Sequence, residues 1–354
     1  MDIIKNLKNL TNLNGASSNE KEVSRYVSDS IKNNCDSIKY DNLGSLIAIK
    51  NGNGPNVMLA AHLDEIGLMV TEITKDGFIK FNPIGGWFSQ VMLAQTWVIN
   101  TAKGKVYGVT GVKPPHLIPL EKRKEAIAIE SMYLDIGVSS KDEAFALGIN
   151  LGDMITPVCE FRELGNGDYL LGKAMDNRIG CAVLMAVLEE LKTVPNNLFA
   201  TFTTQEEVGS RGGKTSSYIV NPKIAIAIDG GVGNDVPGGE LKENSQVKLG
   251  AGPQILLSDA GLIAHQGLRD FVIKIAKELG IPYQEPYLTG GRTDAGMMHL
   301  AHDGAAGLSI CIPTRYMHSH TSIVHKNDYI NTIKLIVEVV KRFDEKTVNS
   351  ILNF

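Results

Sequence analysis

NVMLAAHLDE, residues 56–65, is the stretch on which the fold turns: an unbroken apolar run that ends at His62, Asp64 and Glu65. A continuously apolar strand belongs to a sheet covered on both faces. Open α/β sheets bind ligands beyond the carboxyl ends of such strands. Working outward, the same pattern recurs. Residues 198–204 (LFATFTT) run into Gln205-Glu206-Glu207, residues 223–228 (KIAIAI) into Asp229-Gly-Gly231, and residues 308–312 (LSICI) into the segment ending at His318. Asp176, in Ala174-Met-Asp-Asn-Arg178, stands just before an apolar helical stretch, 177–192.

The flanking sequence supports an α/β reading. Residues 3–10 carry Ile3, Ile4, Leu7 and Leu10 at helical spacing, and Ser17-x-x-Glu20 fits a capping box opening a second helix at Ser17 or Ser18. Strands are expected at 45–50 and 56–61, with the turn-rich segment 51–55 between them. From 67 to 160 the texture changes to short β-type runs punctuated by turns, broken by one helix capped at Ser139 or Ser140 and ended by Gly148. This stretch reads as a β-rich barrel or sandwich inserted into the α/β domain, which resumes at 161. Helices are expected over 265–279, 293–302 and 328–345.

Composition narrows the function. With 35 Lys+Arg against 39 Asp+Glu the formal charge is −4, which lacks the basic footprint of a nucleic-acid or anionic-membrane binder. No apolar run approaches the ~18 residues of a membrane span, and the first residues lack a signal-peptide core. Cys35, Cys159, Cys181 and Cys311 are scattered and read as reduced thiols. A cytoplasmic protein is expected.

Two histidines and three or more carboxylates gathered at strand ends suit one or two divalent ions of the zinc, cobalt or manganese kind. A carboxylate that does not ligate is then needed as base. Adjacent Glu206 and Glu207 can divide ligand and base roles only if the chain leaves strand geometry there, because neighbouring strand residues face opposite ways. Each residue alone reads as a cap, a surface charge or a hydrogen-bonded histidine. Their recurrence at strand ends points to one cleft.

On the segments AAHLDEIG (60–67), GVTGVKPPH (108–116), DIGVSSKDEAFALGINLGD (135–153), GKAMDNR (172–178), TTQEEVGSRG (203–212), AIDGG (227–231) and PTRYMHS (313–319), the chain resembles the M42 family of dinuclear metal aminopeptidases. The resemblance implies a mixed central sheet covered by helices, from residues 1–66 and 161–354, and a barrel-like dimerisation domain from 67–160. It implies two divalent ions per subunit, zinc or cobalt with manganese also fitting. His62, Asp176 and Asp229 would hold one ion, and Asp176, Glu207 and His318 the other. Glu206 would be the general base, and Asp64 would orient His62. It further implies short-peptide substrates and a homo-oligomer, built from dimers and in many members a tetrahedral dodecamer. His320 and His325 are expected outside the ligand set, and His299 and His302 are expected to be structural. Arg292, in Gly290-Gly-Arg-Thr-Asp294, either faces the substrate and favours a carboxylate or pairs with a structural acid. The competing functions are a dinuclear-metal carboxypeptidase, an N-acyl amino acid deacylase and a non-catalytic assembled scaffold. Glycoside hydrolysis is disfavoured, since Trp87 and Trp97 both lie in the insertion.

Overall fold

Residues 2–239 and 247–353 are described by the computed structural model. The chain opens with helices α1 (Ile3–Asn12) and α2 (Lys21–Ile31), then strands β1 (Ser37–Tyr40), β2 (Leu46–Lys50) and β3 (Asn56–His62). The next six strands are β4 (Gly67–Ile73), β5 (Ile79–Ile84), β6 (Thr96–Thr101), β7 (Gly104–Thr110), β8 (Leu134–Asp135) and β9 (Met154–Pro157), with α3 (Lys141–Ala146) between the last two. Then follow β10 (Arg162–Leu164), β11 (Tyr169–Gly172), α4 (Met175–Glu190), β12 (Asn197–Thr203), α5 (Arg211–Val220), β13 (Ile224–Val232) and β14 (Gln254–Ile255). The chain closes with α6 (Gln266–Glu278), α7 (Ala295–Met298), β15 (Ala306–Arg315), β16 (Ser322–His325), α8 (Lys326–Lys341) and α9 (Glu345–Leu352).

The central sheet runs β1-β2-β12-β3-β13-β15-β16-β11-β10, with β14 on the flank of β15. Its middle, β12-β3-β13-β15, is parallel, and antiparallel strands extend both sides. Alternation along β3 sorts the two faces. Val57, Leu59 and Ala61 pack into the main core, while Met58 and Ala60 join Ile47, Ile49, Val220 and Met298 beneath α5 and α7. Buried on nearly every side, α4 lies against β3 and β13, with α1, α2 and α8 beyond it. That explains why its sequence is apolar all round.

Strands β4-β5-β8-β7-β6-β9 close into an antiparallel barrel around Leu68, Val70, Phe81, Trp97, Ile99, Leu134 and Ile155. Mixed sheet and inserted barrel thus match the expected fold class. Ser140 caps α3 as expected, accepting the Glu143 amide.

Three expected helices differ. The second starts at Lys21, because Ser17 and Glu20 bond across the fold instead of forming a capping box. The segment 293–302 keeps only the single turn of α7. The closing helix is two, because the Asp344 side chain caps a new start by accepting the Thr347 amide. The sequence reading omitted β1, β8, β9, β10, β11, β14, β16 and α5.

Candidate metal centre

Parallel register brings the strand-end residues to one edge of the sheet. Thr203 at the end of β12 lies beside His62 at the end of β3, and Asp229 on β13 beside Cys311 on β15. Asp176 enters from α4, whose first residues are not helical: Asp176 is extended at φ −79, ψ 106. Together His62, Asp176, Glu206, Glu207, Asp229 and His318 line a cavity of ≈ 690 Å³.

Asp176 sits between the two imidazoles. Its Oδ1 lies 3.1 Å from His62 Nε2, and its Oδ2 lies 3.6 Å from His318 Nε2. Asp229 Oδ1 is 3.6 Å from His62 Nε2 on the first side, and Glu207 Oε2 is 3.7 Å from His318 Nε2 on the second. His62, Asp176 and Glu207 can each offer one donor atom within 4.8 Å of the others. Both imidazoles point the same nitrogen inward. His62 Nδ1 donates to the Asp64 main-chain carbonyl at 3.0 Å and His318 Nδ1 to the Gly86 carbonyl at 2.8 Å, so Nε2 faces the carboxylates in each case. The second carbonyl comes from the barrel side of the molecule, where Gly86 follows β5.

Glu206 and Glu207 reach the same cavity because the chain leaves strand geometry one residue after Thr204. Gln205 is left-handed at φ +58. Three successive amides of this turn are held by two buried carboxylates: Gln205 donates to Glu20 Oε1 (3.0 Å), Glu206 to Asp64 Oδ1 (3.0 Å) and Glu207 to Asp64 Oδ2 (3.1 Å). The Ser17 hydroxyl also donates to Asp64 Oδ2, at 2.6 Å. Asp64 therefore acts on the Glu206–Glu207 turn through its carboxylate and on His62 mainly through its carbonyl, with Oδ1 3.5 Å from Nδ1. Positive φ also occurs at Ala174, Ser210, Tyr316 and His318 around the cavity. Such conformations cost about 1–3 kcal/mol each and gather at functional sites.

Charge is crowded here. Burial pushes Asp229 up to about 7, and burial together with the Asp176 charge pushes Glu207 up to about 8. Burial likewise raises Glu206 well above the carboxylate range. Burial opposes ionisation of Asp176 as well, but hydrogen bonds with His318 and His62 hold its carboxyl below the usual range. The reciprocal contact with Asp176 raises His318 to about 9. At His62 burial favours the neutral ring, and the Asp176, Asp229 and Asp64 carboxylates outweigh it and raise the pKa well above the ordinary value. The inward Nε2 and carboxylate oxygens form a nitrogen–oxygen donor set suited to zinc, cobalt or manganese.

The remaining candidates fall outside this cluster. His320 is buried between Trp87 and Trp97, 5.6 and 4.3 Å away, where burial lowers it to about 4. His325 caps α8 through the Asn327 amide, His299 Nδ1 bonds the Ala295 carbonyl, and His302 stacks on Tyr218. Arg292 lines the cavity, exposed, and makes no ion pair among the described residues. Sequence reasoning missed Ser17 and Glu20 as braces of the Glu206 turn. It also missed the buried pair in which the Thr203 hydroxyl donates to Asp294 at 2.5 Å. Gly213 is needed beside that pair, because a Cβ there would lie 2.4 Å from Asp294 Oδ1.

Histidines and carboxylates at the ends of parallel strands, around a cavity that suits a divalent cation, define an α/β metallohydrolase. The M42 glutamyl aminopeptidase family model matches residues 44–335, and the chain belongs to that family. It is a peptidase, a hydrolase of peptide bonds. Lysyl aminopeptidase of Pyrococcus furiosus is 35% identical over 90% of this chain and 91% of its own length. Glutamyl aminopeptidase of Lactococcus lactis is 32% identical over the full length of both. Among solved structures, a TET aminopeptidase from a marine sediment Thaumarchaeota archaeon superposes with a TM-score of 0.95 at 38% identity, covering 99% of this chain and 98% of its own. The Pyrococcus horikoshii TET1 peptidase, described as assembling into a tetrahedron or a large octahedral shell, gives a TM-score of 0.88 at 31% identity, covering 97% of this chain and 100% of its own.

Proposed function

We propose that this chain is a dinuclear-metal aminopeptidase that releases N-terminal residues from short peptides. The observation that carries the reading is the placement of Asp176, one oxygen toward His62 and the other toward His318. His62, Asp176 and Asp229 would hold one ion, and Asp176, Glu207 and His318 the other, zinc or cobalt fitting best. When bound, such a pair polarises the scissile carbonyl and lowers the pKa of a water. The protein's own residues do the rest. Glu206 takes the proton of the attacking water and returns it to the leaving amine. Asp64 holds the Glu206–Glu207 turn and His62 in register. A free α-amino group would contact a metal ion or a nearby carboxylate, which favours chain ends over internal bonds.

Arg292 bears on the substrate side chain. A cation on the cavity wall without an acidic partner among the described residues favours an acidic N-terminal residue or a substrate carboxylate. In the same reading, residues 1–66 and 161–354 form the catalytic unit, and 67–160 form a dimerisation module that builds a closed shell. Exposed apolar side chains on the module, among them Tyr107, Val109, Leu117, Leu120 and Leu151, support that role, as do the shells described for the TET1 neighbour. A cytoplasmic setting fits the four free cysteines.

The test is a panel of aminoacyl-anilides, N-acylated anilides and C-terminal substrates, assayed after chelation and again after Zn²⁺ or Co²⁺ is restored. Hydrolysis of the free-amine anilides alone, lost and regained with metal and fastest for Glu or Asp, is expected. Cleavage of the N-acylated or C-terminal set replaces the reading with a deacylase or a carboxypeptidase. Metal-independent silence on every substrate leaves an assembled scaffold.

A further inference from the structure

Ser210 stands outside the proposed ligand set, yet its hydroxyl reaches the carboxylate of Glu206, the base in that reading. It immediately precedes α5, fully buried and left-handed at φ +52. Its Oγ–H donates to Glu206 Oε1 at 2.9 Å. The other oxygen, Oε2, lies 4.0 Å from His62 Nε2, on the side of the ligand cluster. The two oxygens of Glu206 are therefore inequivalent. One is capped by a hydroxyl, and the other faces the centre.

The turn that carries Glu206 is already braced along its backbone. Its amide is held by Asp64, and its carbonyl accepts the Gly209 and Ser210 amides, both at 2.9 Å. What the backbone does not fix is the side chain, whose terminal torsion is broad in glutamate. Ser210 closes a ring from main chain to carboxylate tip and holds that torsion.

We propose that Ser210 is a positioning residue for peptide hydrolysis: its hydroxyl occupies Glu206 Oε1 and leaves Oε2 as the oxygen that accepts the proton of water and returns it to the leaving amine. The hydroxyl keeps its own proton throughout and forms no bond to substrate. This rests on the reading of Glu206 as base. A carboxylate free to swing presents either oxygen or neither to the water, and small misplacements of a reacting group are costly in rate.

The competing role for Ser210 is conformational, since a residue here must tolerate positive φ. Glycine adopts that φ without strain and alanine does not, so the pair S210G and S210A separates hydroxyl from backbone. The experiment measures kcat, KM and metal content for both variants and for E206Q, on one aminoacyl-anilide with the metal-loaded enzyme. Loss of a hydrogen bond to a charged group predicts that kcat falls about 10- to 100-fold in S210G and S210A alike. KM and metal content are expected to stay near wild type. Wild-type kcat in S210G overturns the proposal, and so does a kcat loss that merely follows lost metal. E206Q keeping turnover defeats the base assignment itself. E206Q inactive with S210G fully active defeats Ser210 alone.

Discussion

Two buried charge clusters lie back to back in this protein, separated by the peptide bond between Asp64 and Glu65. On the Glu65 side every charged group has a partner, two cations on one carboxylate. Lys173 Nζ lies 2.8 Å from both Glu65 oxygens, and Arg178 Nη2 lies 3.2 Å from one of them. The remaining donors of Arg178 reach the carbonyls of Leu63, Leu10 and Leu13, and Asn14 accepts from Lys173. On the Asp64 side the carboxyls of Asp64, Asp176, Glu206, Glu207 and Asp229 face two imidazoles. The carboxyls of both clusters are largely buried, although His318 is exposed, so burial alone does not explain the difference. Lys173 and Arg178 flank Asp176 by three residues and two, yet both turn to Glu65. Among the described residues, the His62 and His318 imidazoles alone face the negative charge at the strand ends. A pair of divalent ions would meet it.

The comparison breaks most visibly at Asp176. Asp176→Asn removes the charge that lies between His62 and His318, so metal binding and turnover should collapse together, by about 10³-fold or more in kcat/KM. Retained turnover in that variant would mean the acidic cluster is not one centre. The Glu65 cluster should respond in stability instead. Glu65→Gln strands Lys173 and Arg178 in the interior, and breaking a buried pair costs about 3–5 kcal/mol. Denaturant unfolding of the metal-loaded protein measures it, and a loss under ~1 kcal/mol would show that the two cations find other partners.

The smallest expected effect is in pH. In the metal-free protein Asp229 sits at about 7 and Glu207 at about 8, raised from ordinary values of 3.8 and 4.5. Because the folded values exceed the unfolded ones, their contribution to metal-free stability is complete below about pH 4 and is lost as pH rises through 7 and 8. Ligand protons must leave when an ion binds. The gain in Tm on adding Zn²⁺ to chelated protein should therefore grow between about pH 5 and about pH 8.5. A flat or falling gain would separate metal binding from these carboxyls.

Where the sequence was legible, one physical rule applied at a time. The apolar runs of β3, β12, β13 and β15 are strands covered on both faces, and the polar residues that end them meet at one edge because those strands are parallel. Where it misled, a local pattern served a distant partner. Ser17-x-x-Glu20 has the spacing of a capping box, but its hydroxyl and carboxylate are bonded to Asp64 and the Gln205 amide. No window of a few residues contains that choice. Helix α5 was hidden by Gly212 and Gly213, weak helix formers, retained because a Cβ on Gly212 would lie 2.5 Å from the Thr204 backbone. The barrel's share in the site was equally hidden, since the Gly86 carbonyl that orients His318 leaves no side-chain signature.

The most direct test of the central claim is the metal stoichiometry of the purified, active wild-type enzyme, measured by elemental analysis alongside turnover. Two divalent ions per chain at full activity is the predicted result. Full activity with one ion per chain, or with none, would contradict an Asp176 that joins two half-sites.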